Sequence, residues 1–344
     1  MRVLINGLQA GNQSGTGRYT EELIRALAEL NEDLDLTVVW PEGLAPPRET
    51  PRLHLEHRPV DPLRRIAFDQ FGIKRLRQQY QAGIVHYPAS IGPLWRQPGT
   101  VLTVHDLGAF HQADWFRSSR AAYYRFAIAR SARQAARIIA DSEAAANDLQ
   151  QYLDIPPGAI DVIPLGVSPA FSPQDDAARQ SIRQKYGLPE DFFLFVGTLE
   201  PRKNLSRVLD AWSQIAPDCA YDLAIAGRLG WKNKPLLGAI EESPFRNRIH
   251  LTGYIPDADL PALIGAAHAF IWPSLLEGFG LPPLEAMACG TPVIASKTGS
   301  LPEVTGDATI LVDPYQVGAI ADAMCQLSGD PALHRQLCDR GLEH

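Results

Sequence analysis

The stretch Pro273-Ser-Leu-Leu-Glu277-Gly-Phe-Gly280-Leu-Pro-Pro-Leu-Glu285-Ala-Met-Ala-Cys-Gly290 decides the fold. The apolar run Ala269–Trp272 before it is short and bulky, as a buried strand is. Pro282 and Pro283 suit the first turn of a helix, whose amides lack intrahelical acceptors anyway. Strand, glycine turn and helix follow one another, which is the βα unit of a parallel sheet.

The same unit recurs in both directions. Strands are expected at 3–6, 36–40, 83–87, 101–104, 137–141 and 161–163, then at 192–196, 222–226, 248–251, 269–272, 292–295 and 309–312. Helical periodicity fills 19–30, 117–133, 205–215 and 316–327. Such alternation predicts an α/β protein with parallel sheets covered on both faces. Pro164-Leu-Gly-Val-Ser-Pro169 with Ser172-Pro173 breaks the pattern and reads as a linker. It divides the 344 residues into domains expected at 1–168 and 169–344. In open α/β sheets ligands sit outside the carboxyl ends of the strands, so two such domains imply a cleft fed by loops from both.

Composition narrows the function. A net charge of −7 argues against a general nucleic-acid binder. Cys219, Cys289, Cys325 and Cys338 show no CxxC spacing, and a reducing cytoplasmic location fits them best. The start MRVLING has no signal-peptide pattern, and no run of about 18 apolar residues spans a bilayer. Leu342-Glu343-His344 matches the start of a vector-encoded tag as well as a native helix end.

Four loops carry chemistry, each at an expected strand end. In the opening stretch, the amides around Gly278, Phe279, Gly280 and Leu281 and the helix dipole suit an anion or sugar hydroxyls. Glu277 and Glu285 frame that turn, and a carboxylate accepts both hydrogen bonds of a cis-diol such as ribose. As lone acids they would balance the helix dipole. In Val196-Gly-Thr-Leu-Glu-Pro-Arg202-Lys203-Asn-Leu205, two cations oppose the dipole of the helix they precede, so a bound diphosphate explains them better than solvent does. Ser14-Gly15-Thr16-Gly17-Arg18-Tyr19 reads alone as a tight turn, and Thr20 stands where a dinucleotide fingerprint has its third glycine. Thr103-Val-His105-Asp106-Leu107 ends a strand on a His-Asp pair able to meet a sugar hydroxyl or a proton. A structural histidine is the plainer alternative. The literal DxD at Asp257-Ala-Asp259 opens a helix, so capping explains it and no metal is assigned.

Glu-x7-Glu in the setting E-G-F-G-L-P-P-L-E-A-M-A-C-G-T-P-V-I-A resembles the signature of retaining family-4 (group 1) glycosyltransferases, and Gly299-Ser-Leu-Pro-Glu-Val304 extends the likeness. The resemblance implies the GT-B fold, two Rossmann-like domains with parallel sheets facing across a cleft. It implies retaining, metal-independent transfer of a hexosyl group from a UDP- or GDP-sugar to a glycan, lipid-linked or small-molecule hydroxyl, with no cofactor. Carried over, Glu285 binds the ribose, while Glu277 with the 278–281 amides holds the donor sugar. Arg202 and Lys203 take the diphosphate, although Thr198 and Asn204 stand where the family's G-R-L-x-x-x-K-G has Arg and Gly. His105, Asp106 and Gly17 approach the donor from the N-terminal domain. Gly227, Tyr254 and Ile255 line the nucleobase pocket, which Arg228 borders. The family closes with a helix crossing back onto the N-terminal domain, and this chain stops soon after Leu337. Basic and aromatic residues interleave at 58–77 and 114–137, which suits either an anionic membrane surface or solvated amphipathic helices. The rival readings are a GT-B-fold epimerase or phosphorylase and a non-catalytic nucleotide-sugar-binding subunit.

Overall fold

The structure, a computed structural model, describes residues 1–12, 15–30, 33–47, 50–112, 115 and 118–344. It contains two compact units, Met1–Pro164 and Leu165–His344. The division falls four residues before the expected one. Val167 and Phe171 of the proline-rich stretch already pack on the second unit's core.

The first unit is a seven-stranded sheet in the order β3-β2-β1-β4-β5-β6-β7. Its strands are β1 (Arg2–Asn6), β2 (Asp35–Pro41), β3 (Leu53–Arg58), β4 (Ile84–Tyr87), β5 (Thr100–Val104), β6 (Arg137–Ala140) and β7 (Ile160–Val162), all paired in parallel. Side chains alternate across a strand, so Val3 and Ile5 enter one core beside Ile24, while Leu4 enters the other with Ile73 and Leu149. Helices α1 (Gly15–Leu30), α2 (Pro62–Ala67), α3 (Ile73–Gln79), α4 (Gly108–His111), α5 (Ser118–Gln134) and α6 (Glu143–Leu153) cover the two faces. The sequence reading overlooked β3, Leu-His-Leu-Glu-His-Arg. As an edge strand it needs apolar contacts on one face only, and Leu53 and Leu55 supply them. Its charged residues discourage pairing with another chain.

The second unit has six parallel strands in the order β10-β9-β8-β11-β12-β13. They are β8 (Phe192–Val196), β9 (Asp222–Ala226), β10 (Ile249–Gly253), β11 (Ala269–Trp272), β12 (Val293–Ser296) and β13 (Ile310–Val312). Phe192, Phe193, Leu194 and Phe195 are all fully buried, as a strand covered on both faces requires. The helices are α7 (Asp176–Tyr186), α8 (Leu205–Ile215), α9 (Lys234–Glu241), α10 (Leu260–Gly265), α11 (Leu281–Ala288), α12 (Leu301–Thr305), α13 (Val317–Gly329) and α14 (Pro331–Glu343). On α8 the apolar stripe Leu205, Val208, Leu209 and Trp212 faces inward. The chain leaves β8 for β9 on one side and reaches β11 on the other. The gap between β8 and β11 is therefore the topological switch point where such sheets bind ligands. No described helix is long and apolar enough to cross a membrane.

Candidate active site

The two loops singled out in the second unit meet at that switch point. The loop after β8 and the loop after β11 are stitched by the Leu275 amide donating to the Arg202 carbonyl at 2.9 Å. Asn204, buried at φ 63°, donates its side-chain amide to the carbonyls of Pro273 (2.9 Å) and Pro314 (2.7 Å). Asparagine tolerates this left-handed backbone better than most residues. That is the physical reason it can stand where the family pattern has glycine.

Glu277 gathers the charges. Its carboxylate accepts from Lys203 Nζ at 2.7 Å and from Arg202 Nη1 at 3.3 Å. Arg202 also donates to the Leu276 carbonyl at 2.9 Å and pairs with Glu200 at 3.3 Å. Beneath them the Lys203 ammonium lies 4.6 Å from the centre of the Trp272 ring. Burial pushes the Glu277 carboxyl up, but Lys203 and Arg202 outweigh it and hold the group below the usual carboxylate range. Burial lowers Lys203 as well, against the raising effect of Glu277. The short bond between them favours the ionised pair at neutral pH. The cations before α8 thus have an anion already, and it is Glu277. The anion that the sequence argument expects beside these cations is supplied within the chain.

The turn between Glu277 and α11 is braced from behind. The Ser300 hydroxyl lies 3.1 Å from the Glu277 carbonyl and 2.5 Å from that of Phe279. Gly280 caps α11 at φ 117°, and a Cβ there would stand 2.5 Å from Leu301 Cδ2. α11 begins at Leu281 after Gly280, and Gly278 and Phe279 lie in the turn before it. Glu285 lies buried one turn inside α11. It lies beside Cys289, whose thiol is pushed to about 12 by burial and then by the Glu285 charge.

Along the same edge β8, β9 and β10 lead to Gly197, Gly227 and Gly253. Gly227 has φ 138°, and a Cβ there would sit 1.9 Å from the Gly197 carbonyl oxygen. Arg228 follows, its guanidinium 4.3 Å from the centre of the half-exposed Tyr254 ring. Ile255 is 3% exposed and its side chain belongs to the apolar core. Asp259 stands at the N-cap position of α10 without making a capping bond. Its carboxylate instead accepts from Lys185 and Tyr186 at 2.6 Å each, which ties α7 to α10 and corrects the capping assignment.

The remaining residues lie in the first unit. Ser14 falls outside the described residues. Gly17 is in the first turn of α1, and a Cβ there would stand 1.9 Å from the Asn12 carbonyl oxygen, so backbone crowding alone demands glycine. Asp106 accepts from the Gly108 amide at 2.9 Å and so turns back to start α4. His105 has both ring nitrogens engaged, Nδ1 with Asp141 at 2.6 Å and Nε2 with the Pro88 carbonyl at 2.9 Å. Burial lowers its pKa, but Asp141 more than compensates and the net direction is up. Tyr19 meets the ring edge-on at 4.7 Å and bonds Thr103 at 3.0 Å, and Thr103 bonds His86 at 2.8 Å. Burial, then the His105 charge, drives His86 down to about 4. Asp141 and Tyr19 were missed in the sequence. The signal for Asp141 was present: Val104 pairs with Ala140, so the next residues of both strands are neighbours.

Two parallel sheets with polar clusters at their strand ends define the class of doubly wound α/β proteins, and the comparisons with known proteins name the family. Residues 178–344 match the family described as "Glycosyl transferases group 1", and residues 13–171 match "Glycosyltransferase Family 4". The O-antigen chain mannosyltransferase B of Escherichia coli is 31% identical over 96% of this chain and 91% of its own. Among solved structures, sucrose-phosphate synthase from Thermosynechococcus elongatus superposes with a TM-score of 0.79 at 23% identity, covering 99% of this chain and 93% of that one. Anabaena HepE in complex with UDP-glucose superposes at 0.76 and 19% identity, covering 100% and 94%. The chain belongs to the group 1 glycosyltransferases and has their GT-B fold. It is a nucleotide-sugar glycosyltransferase.

Proposed function

We propose that the protein transfers a mannosyl group, with retention and without a metal, from a UDP- or GDP-type donor to a hydroxyl of a glycan, lipid-linked or small-molecule acceptor. Convergence of Lys203, Arg202 and Glu277 at the switch point of the second sheet carries this reading. The mannosyl assignment is supported by the name of the full-length Escherichia coli relative.

In this reading the donor diphosphate displaces Glu277 from Lys203 and Arg202, and the two cations take up the charge of the leaving group. The freed Glu277 carboxylate accepts hydroxyls of the donor sugar, with the Gly278, Phe279, Gly280 and Leu281 segment alongside. Glu285 holds the ribose. The bond from C1 to the diphosphate breaks, the bond from the acceptor oxygen to C1 forms on the same face, and the acceptor proton leaves on a diphosphate oxygen. His105 contributes a fixed positive edge in the first unit rather than a mobile proton, because both its nitrogens are held. Asp106 and Gly17 shape that edge through backbone geometry.

The four cysteines are unpaired, which suits a reducing compartment such as the cytoplasm. Ile66, Phe71, Tyr123 and Phe126 are exposed in segments that also carry Arg65, Lys74, Arg75 and Arg125, which supports peripheral contact with an anionic membrane. Transfer to a mannose-terminated oligosaccharide from UDP- and GDP-mannose, with EDTA present, tests the reaction. An α-linked product by proton NMR supports it; a β-linked product, or dependence on a divalent ion, contradicts it.

A further inference from the structure

We propose that Arg228, held against the face of Tyr254, reads the donor nucleobase and selects guanine. The inference rests on the donor-site reading above and adds to it the identity of the base.

Position comes first. Strands in a sheet lie about 5 Å apart. The ends of β9 and β10 therefore stand about 5 and 10 Å along the sheet edge from the end of β8, where the loop bearing Arg202 and Lys203 begins. That is the reach of a nucleoside from its diphosphate. The glycines at 197, 227 and 253 keep this edge clear of side chains. A parallel bridge between Leu199 and Leu229 fixes the Arg228 backbone to the phosphate loop, with the Leu199 amide donating to the Arg228 carbonyl at 2.9 Å.

Chemistry comes second. Arg202, Arg246 and Arg248 each have a carboxylate within 3.3 Å. Arg228 pairs with none among the described residues, although it is exposed and stacked 4.3 Å from the Tyr254 ring centre. An aromatic face orients a guanidinium while leaving its in-plane N–H groups available. That fork matches two adjacent acceptors on one edge of a base. Guanine offers them as O6 and N7, whereas adenine puts a donor amino group beside N7 and uracil presents an isolated O4. Tyr254 positions the fork, and Arg228 makes the contact.

The test is competitive binding of GDP, IDP, 7-deaza-GDP, UDP and ADP to the full chain by titration calorimetry. A bidentate arginine–guanine contact predicts that GDP binds about tenfold or more tighter than UDP and ADP. IDP, which keeps O6 and N7, stays close to GDP, and 7-deaza-GDP falls toward UDP. Arg228→Ala and Arg228→Lys abolish the GDP advantage, as does Tyr254→Ala, while Tyr254→Phe retains it. UDP or ADP matching GDP on the wild-type chain, or a GDP advantage that survives Arg228→Ala, overturns the inference and leaves the donor site standing. Failure of every nucleotide to bind overturns both.

Discussion

Glu277 is a buried carboxylate held between two cations of its own chain. It neutralises Lys203 and Arg202, all three being largely buried. Removing one partner of a buried pair is costly because the other charge is stranded. Glu277→Gln is therefore expected to destabilise the protein by about 3 kcal/mol. Pyrophosphate should raise the unfolding midpoint of the variant more than that of wild type, since it supplies the missing anion; an equal rise in both would contradict this role. His105 makes a second prediction at this scale. Its folded pKa is raised above the ordinary imidazole value of about 6.5, so the stabilisation it gains from Asp141 is complete below that value and is lost as pH rises through the folded pKa. NMR titration of the ring should show an elevated midpoint that falls in Asp141→Asn. An unchanged midpoint would mean that Asp141 does not hold the proton.

At the scale of elements, glycines decide how closely loops approach. Gly227→Ala puts a Cβ 1.9 Å from the Gly197 carbonyl oxygen at a φ that L-residues avoid, so a loss of about 3 kcal/mol is expected. Gly238→Ala, inside α9 with nothing within 4 Å, should instead stabilise by about 0.5–1 kcal/mol. Chemical denaturation of both variants checks the pair, and a neutral Gly227→Ala would show that the strand ends are not tightly juxtaposed. The same scale explains what could be read in the sequence. Phe192–Val196, Asp222–Ala226 and Ala269–Trp272 were legible because strands buried on both faces are continuous apolar runs. β3 was not, because a half-exposed edge strand resembles a loop in composition. The turn from Glu277 to Glu285 was legible because prolines and glycines punctuate it. The capture of Lys203 by Glu277 was not, since 74 residues separate them and only the strand order brings their loops together.

Among the described residues, Met1–Pro164 and Leu165–His344 each have an apolar core of their own. Unfolding is therefore expected in two steps rather than one. Arg202, Lys203, Glu285, Arg228 and Tyr254, to which the proposed reading gives the diphosphate, ribose and base, lie in the second unit, so a nucleoside diphosphate should act mainly on that unit. Differential scanning calorimetry of the full chain, with EDTA and a nucleoside diphosphate at 100 times its Kd, tests this most directly. The account predicts that one transition gains about 2.7 kcal/mol while the other moves less, and that Glu285→Ala removes the gain. No shift with any nucleotide, or an equal shift in Glu285→Ala, would contradict a donor site at the switch point of the second sheet.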